Sequence, residues 1–150
     1  MNTLAAGPEG RQSWQMTTPL PMSVGAVTIA AARPGALARF YSALLGWPYI
    51  REEAPRPGTP ADSGFALVCP PEGVTGMALN FEYDAHYRRP VWPSVAGEQA
   101  ITQHLDVGVA DLDSAVSWAV ECGATLADHQ PGDDFRVLID PDGHPFCLCR

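Results

Sequence analysis

Basic charge is scarce in this chain. Its 150 residues hold 9 lysines and arginines against 17 aspartates and glutamates, a formal net charge of −8. A protein that reads phosphates needs a basic face, and the only local basic pair, Arg88-Arg89, is too small to make one. Nucleic acid is therefore not an expected partner. Long apolar runs are also missing. None approaches the roughly 20 residues needed to cross a bilayer, so no membrane partner is expected. The start lacks the basic segment and apolar run of a secretory signal. Cysteine is limited to Cys69, Cys122, Cys147 and Cys149. The last two stand two apart in an expected strand, on one face but badly placed for a mutual disulfide. The thiols are read as reduced and the protein as cytoplasmic.

What is present is enough apolar residue, 46% against 17% charged, to fold one domain or two small halves sharing a core. The stretch His104 to Ala124 shows how. Leu105, Val107 and Val109 alternate with His104, Asp106 and Gly108, which is the period of a strand. Asp111 sits where a helix N-cap belongs. Leu112, Ala115, Val116, Ala119 and Val120 then form an apolar helical stripe, and Gly123 supplies a stop.

The same pattern occurs 78 positions earlier. Val27, Ile29 and Ala31 match Leu105, Val107 and Val109, and Phe40 matches Trp118. The helical stripe there is Leu37, Phe40, Tyr41, Leu44 and Leu45. Pro34 starts that helix at no hydrogen-bond cost, and Gly46 ends it. The Pro-Glu-Gly of Pro71–Gly73 is echoed by Pro141–Gly143. These are signs of an internal repeat.

The chain therefore divides as follows. Residues 1–22 are an expected mobile tail without periodicity, in which Trp14 has no assigned role; Met16 and Met22 leave the translation start open. A first βαβββ module spans 23–83, with strands expected at Val24–Ala32, Trp47–Ala54, Phe65–Cys69 and Gly76–Tyr83 around a helix at Pro34–Leu45. Residues 84–102 connect it to a second βαβββ module at 103–150. Its strands are expected at His104–Ala110, Ala124–His129, Phe135–Ile139 and Pro145–Cys149, with a helix at Leu112–Cys122. The fold class is α+β, with two tandem modules whose curved mixed sheets enclose a cavity.

Strand parity predicts which residues face that cavity. They are Ala26, Thr28 and Ala30, then Asn80 and Glu82, in module one, and His104, Asp106 and Gly108, then Cys147 and Cys149, in module two. Leu79, Phe81, Phe146 and Leu148 point toward the helices. Trp92 and Tyr87 in the connection either wall the cavity or pack the modules together. His144 is expected to serve its turn. His86 and His129 fall in or near loops with no partner evident.

Two βαβββ modules, with F-Y-S-A-L-L-G-W in the first and H-L-D-V-G-V-A-D-L-D plus D-P-D-G-H-P-F-C-L in the second, resemble the vicinal oxygen chelate superfamily. That group contains glyoxalase I, bleomycin-resistance proteins and extradiol dioxygenases. The Tyr87–Pro93 connection is similar to that of glyoxalase-like proteins of the actinobacterial type. The resemblance runs from about Val24 to Cys149. It implies a divalent metal held by one side chain from the first and one from the last strand of each module. By motif position these fall on His104 and Cys147 in module two, and on Ala26 and either Asn80 or Glu82 in module one. The set is degenerate, because alanine offers no donor. His104, Glu82 and Cys147 could still hold a zinc, nickel, manganese or iron ion.

The expected function follows from that departure. The protein binds a small organic molecule, aromatic or carbonyl-bearing, in a cavity lined by Thr28, Asn80, Glu82, Trp92, His104, Asp106 and Cys147, without a resident cofactor. The alternative is a divalent-metal-dependent lyase or isomerase of the glyoxalase type, with Glu82 and Asp106 as the catalytic carboxylates. An extradiol dioxygenase needs two histidines and a carboxylate, and only one histidine is in place. A third possibility is a structural role with the cavity filled. A homodimer is expected, since two-fold dimers are the commonest oligomers.

Overall fold

The computed structural model describes residues 21–55, 57–61 and 63–150, without the side chains of residues 50–52. Residues 1–20 of the expected tail, Trp14 and Met16 among them, lie outside the described residues. Module one is β1 (Ala26–Ala31), α1 (Pro34–Leu45), β2 (Tyr49–Glu53), β3 (Phe65–Val68) and β4 (Ala78–Tyr83). Module two is β5 (Asp106–Gly108), α2 (Leu112–Cys122), β6 (Thr125–Leu126), β7 (Phe135–Ile139) and β8 (Pro145–Cys149). Each forms a four-stranded sheet, in the order β1-β4-β3-β2 and β5-β8-β7-β6. The first and last strands of a module pair in parallel and the others antiparallel.

Both helices occupy the spans expected from their apolar stripes and stop at Gly46 and Gly123, whose positive φ (64° and 115°) turns the chain away. Their N-termini differ. The Asp111 carboxylate caps α2 by accepting the Ser114 N–H at 2.8 Å. Arg33, at the cap of α1, contributes no side-chain cap. The carboxylate comes instead from module two: Asp142 accepts the Arg33 backbone N–H at 3.0 Å, where the positive end of the helix dipole favours an anion.

Strand alternation appears as expected. Leu79, Phe81, Phe146 and Leu148 are buried, and Val27, Ile29, Leu105, Val107 and Val109 pack against the same core. The α2 stripe is narrower than its spacing suggested: Leu112 and Ala119 are buried, but Val120 is 48% exposed. Strand β5 is shorter than the expected His104–Ala110. Its ladder is extended by Cys147 N–H to the Leu105 carbonyl and Val109 N–H to the Cys149 carbonyl, each 2.8 Å. That leaves His104 one residue before the last hydrogen-bonded position. The strand expected at Ala124–His129 shrinks to two residues. Beyond them, Gln130 replaces a strand partner by bonding both the N–H and the C=O of Val137 with its side chain.

The modules pack on each other within one chain. An aromatic group bridges them: Tyr41 stacks on Phe81 at 5.3 Å and meets Phe146 edge-on at 6.1 Å, while Phe40 meets Phe146 at 6.0 Å. Trp118 donates its indole N–H across the helix pair to the Leu44 carbonyl at 3.1 Å. No helix among the described residues is long and apolar enough to cross a membrane.

Candidate functional site

An open cleft of about 880 Å³ lies between β1, the inter-module connection and the start of β5, and is not enclosed by the two sheets as expected. Its walls come from β1 (Val27 to Ala30), from the connection (Asp84, His86 to Arg88, Pro90 and Gln99 to Gln103) and from His104, Leu105 and Asp106. Tyr41, Met77, His144 and Pro145 complete it. The volume lies in the range that holds a drug-sized molecule. Thr28 and Ala30 are small and exposed there, so the β1 side leaves room for a ligand.

Register explains which polar groups meet. In module two, Asp106 is the parallel partner of Cys147 and Gly108 that of Cys149. Side chains on one face of paired strands lie side by side, and the His104 ring folds back onto them. His104 Nε2 is 3.3 Å from Asp106 Oδ1. The donor atoms of His104, Asp106 and Cys147 all lie within 4.8 Å of one another. Cys149 adds a weak S–H contact to Asp106 at 3.9 Å. His104 and Asp106 are about half and two-thirds exposed, whereas Cys147 is buried. Burial, and then the negative charge of Asp106, push the Cys147 thiol up to about 11. It is a protonated thiol at neutral pH unless a cation displaces the proton.

In module one the matching positions are occupied differently. Thr28 pairs with Asn80, whose Nδ2 donates to the Thr28 hydroxyl at 3.3 Å. Glu82 pairs with Ala30 and is exposed. It borders a smaller recess beside the cleft, shared with Thr28, Ala30, Tyr83, Asp84 and Ala85. Glu82 is not part of the group formed by His104, Asp106 and Cys147. Trp92 stands elsewhere: its indole N–H donates to the His129 carbonyl at 3.1 Å and its ring lies 6.0 Å from the His129 ring. Neither Asn80 nor Trp92 borders the cleft.

Sequence reasoning missed the cleft's inner end. The Asp140 side chain is fully buried. Its Oδ1 accepts the backbone N–H groups of Asp142, Gly143 and His144 at 2.7–2.9 Å, and its Oδ2 accepts the Tyr41 hydroxyl at 3.1 Å. His144 brings Nδ1 to 3.0 Å from Asp140 Oδ2 and Nε2 to 2.9 Å from the Ala30 carbonyl. Its Nε2 also lies 3.1 Å from the Tyr87 hydroxyl, which donates to the Asp142 carbonyl at 3.0 Å. A carboxylate and a carbonyl only accept, so the ring satisfies both of these contacts at once in its imidazolium form. Burial alone would lower the His144 pKa, but the hydrogen bond and charge of Asp140, aided by Ala30 and Asp142, raise it. Burial, followed by the Asp140 charge, raises the Tyr41 phenol well above its ordinary range. Tyr87 is raised too, by burial and the Asp140 and Asp142 charges.

Gly143 closes this turn at a φ of 102°, and a Cβ there would run into the Arg89 side chain. The signal for the turn was Asp-Pro-Asp-Gly-His. Its reach across to Tyr41, Ala30 and Arg33 of module one is a tertiary property that no local spacing encodes.

The comparisons agree with this architecture. Residues 26–149 match the family described as Glyoxalase-like domain. No curated protein sequence matches the chain. Among solved structures, a glyoxalase family protein from Enterococcus faecalis is similar, with a TM-score of 0.59 and 22% identity over 85% of this chain and 97% of that one. The antibiotic-binding protein TnmS3 from Streptomyces sp. CB03234 aligns with a TM-score of 0.53 and 15% identity, covering 86% and 95% of the two chains. The fosfomycin resistance protein FosX from Mesorhizobium loti gives 0.56 and 12%, covering 89% and 92%. At these identities the structural likeness speaks for the fold, whereas the family match covers most of the sequence. With its paired βαβββ modules, the chain belongs to the glyoxalase-like domain family of the vicinal oxygen chelate superfamily.

Proposed function

We propose that this protein binds a small organic molecule, aromatic or carbonyl-bearing, in the cleft between its modules. The observation that carries this reading is the open space of about 880 Å³ beside the small side chains of β1. Val27, Ile29, Met77 and Pro145 offer apolar contact there, and Asp84, His86, Arg88 and His104 offer polar groups that can orient a ligand. Similarity to an antibiotic-binding protein supports the same reading. Module one lacks a donor at Ala26, which favours a ligand held without a metal. We place the protein in the cytoplasm, as a homodimer. The four free cysteines suit a reducing compartment, and light scattering tests the dimer.

The test is a thermal-shift and calorimetric screen of bleomycin and a panel of aromatic ketones, run beside Thr28→Trp. A ligand of the folded state raises the melting temperature of the parent protein. Thr28→Trp fills the cleft from an exposed position, so it abolishes the shift while leaving the unliganded melting temperature nearly unchanged. A panel that shifts neither protein, or shifts both equally, contradicts the proposal.

The proximity of His104, Asp106 and Cys147 favours a second reading, a metal-dependent lyase or isomerase. A carboxylate, an imidazole and a thiolate are all acceptable zinc ligands, so the residues fit a metal. A bound divalent ion would supply Lewis-acid polarisation of a substrate oxygen. The chain's own contribution would be proton movement by Glu82, which stands exposed beside the cleft on the other sheet. Asp106 would either share that task or hold the ion.

A further inference from the structure

We infer that module two alone carries a zinc site, made of His104, Asp106 and Cys147, to which module one gives no ligand. The inference deepens the second reading above and rests on it for a metal being bound at all. It differs from the set implied by resemblance, which draws two donors from each module. Three observations carry it. The parallel register pairs Asp106 with Cys147, so the backbone fixes two of the three donors side by side. The third, His104 Nε2, is 3.3 Å from Asp106 Oδ1, and all three donor atoms lie within 4.8 Å of one another. Tetrahedral zinc with bonds of about 2.0–2.3 Å sets its donors roughly 3.5 Å apart. The exposed His104 and Asp106 need swing only about 1 Å to meet that spacing around the buried sulfur.

Module one cannot contribute in the same way. The residues that match this trio in the repeat are Ala26, Thr28 and Asn80, and Thr28 and Asn80 are engaged with each other. Glu82, the remaining carboxylate of that sheet, pairs with Ala30 and stands outside the donor group. The thiolate sets the metal class. Sulfur donors favour zinc over magnesium, calcium or manganese, which take oxygen ligands. Cys149 lies 3.9 Å from Asp106 and supplies an outer contact that orients the carboxylate.

Cobalt(II) chloride titration of the metal-free full-length protein tests this with a readout independent of activity and of any organic ligand. Sulfur-to-cobalt charge transfer absorbs in the near ultraviolet and reports the thiolate directly. The parent protein and Glu82→Gln should both develop that band at one cobalt per chain, and zinc should bleach it. Cys147→Ser should lose the band, and His104→Ala should bind cobalt more than about tenfold more weakly. His104 is exposed, so that variant keeps its fold and guards against misfolding of Cys147→Ser. Cobalt binding that is lost in Glu82→Gln overturns the one-module site while leaving the metal-dependent reading intact. No binding by the parent protein overturns both, and leaves the organic-ligand reading standing.

Discussion

The two modules share a topology and differ in what they do with it. Each has one helix, one sheet with parallel outer pairing, and a glycine-closed turn before its last strand. In module one Thr28 and Ala30 border the cleft, with Asn80 beside Thr28, and the turn is Pro70-Pro71-Glu72-Gly73. In module two His104 and Asp106 border the cleft, with Cys147 and Cys149 beside Asp106 outside its lining, and the turn is Asp140-Pro141-Asp142-Gly143. Module two's turn also does work for module one. Asp142 caps α1, Asp140 accepts from Tyr41, and His144 Nε2 reaches the Ala30 carbonyl on β1. One copy of the repeat presents small side chains to the cleft, while the other concentrates the polar groups and the contacts that hold the pair together.

The sharpest way to break this asymmetry is Asp140→Ala. It strands the Tyr41 hydroxyl, three turn amides and the His144 imidazolium at once. We expect a loss of about 3–5 kcal/mol in urea unfolding, the range for breaking a buried charged pair. Tyr41→Phe removes one hydrogen bond to the same carboxylate and should cost about 1.5–3 kcal/mol. The control is Glu72→Ala in the module-one turn. That side chain is exposed, and its loss should stay within about 0.5 kcal/mol. A Glu72→Ala effect as large as that of Asp140→Ala would show the turns to be equivalent after all.

His144 predicts a pH dependence with a definite sign. Its folded pKa is raised above the ordinary 6.5. The stability it adds is therefore fully present below about 6.5 and is lost as pH rises through the folded value. Urea midpoints of the parent protein should fall from pH 6 to pH 9 by more than those of His144→Gln, which keeps one donor but cannot titrate. Parallel pH profiles would contradict the imidazolium assignment. Among the lost hydrogen bonds, the smallest effect is expected at the α2 cap. Asp111→Ala should lower the melting temperature by less than Tyr41→Phe does, because the lost bond to Ser114 is at the surface.

Helix positions and strand faces were legible in the sequence because they depend on local period. Pro34–Leu45 and Leu112–Cys122 needed only apolar spacing, an opening proline or aspartate and a closing glycine. Leu79, Phe81, Phe146 and Leu148 followed from parity. The ends of β5 and β6 were less legible, because a strand stops where its partner stops, and the partners β8 and β7 are distant in the chain. The site divides the same way. His104, Asp106 and Cys147 could be placed on one face by parity, and the register then brings them together. Glu82 was placed on the last strand of module one in the same way, but its register opposite Ala30 and its distance from the donor group are not written in spacing. The Tyr41–Asp140–His144–Tyr87 group joins residues about a hundred positions apart, such as Tyr41 and Asp140. Each has an ordinary local reading: a core aromatic, a turn aspartate, a turn histidine and a loop tyrosine. Only the packing of the modules turns them into one network.

The most direct test of the ligand-binding account is an amide NMR titration of the isotope-labelled protein with 4-hydroxyacetophenone, bleomycin and related aromatic ketones. The account predicts saturable shifts clustered at Thr28, Ala30, His86, Arg88 and His104, which border the cleft, with the outer face of α2 unmoved. Shifts confined to α2 and its exposed Trp118, or no saturable shift with any compound, would contradict it.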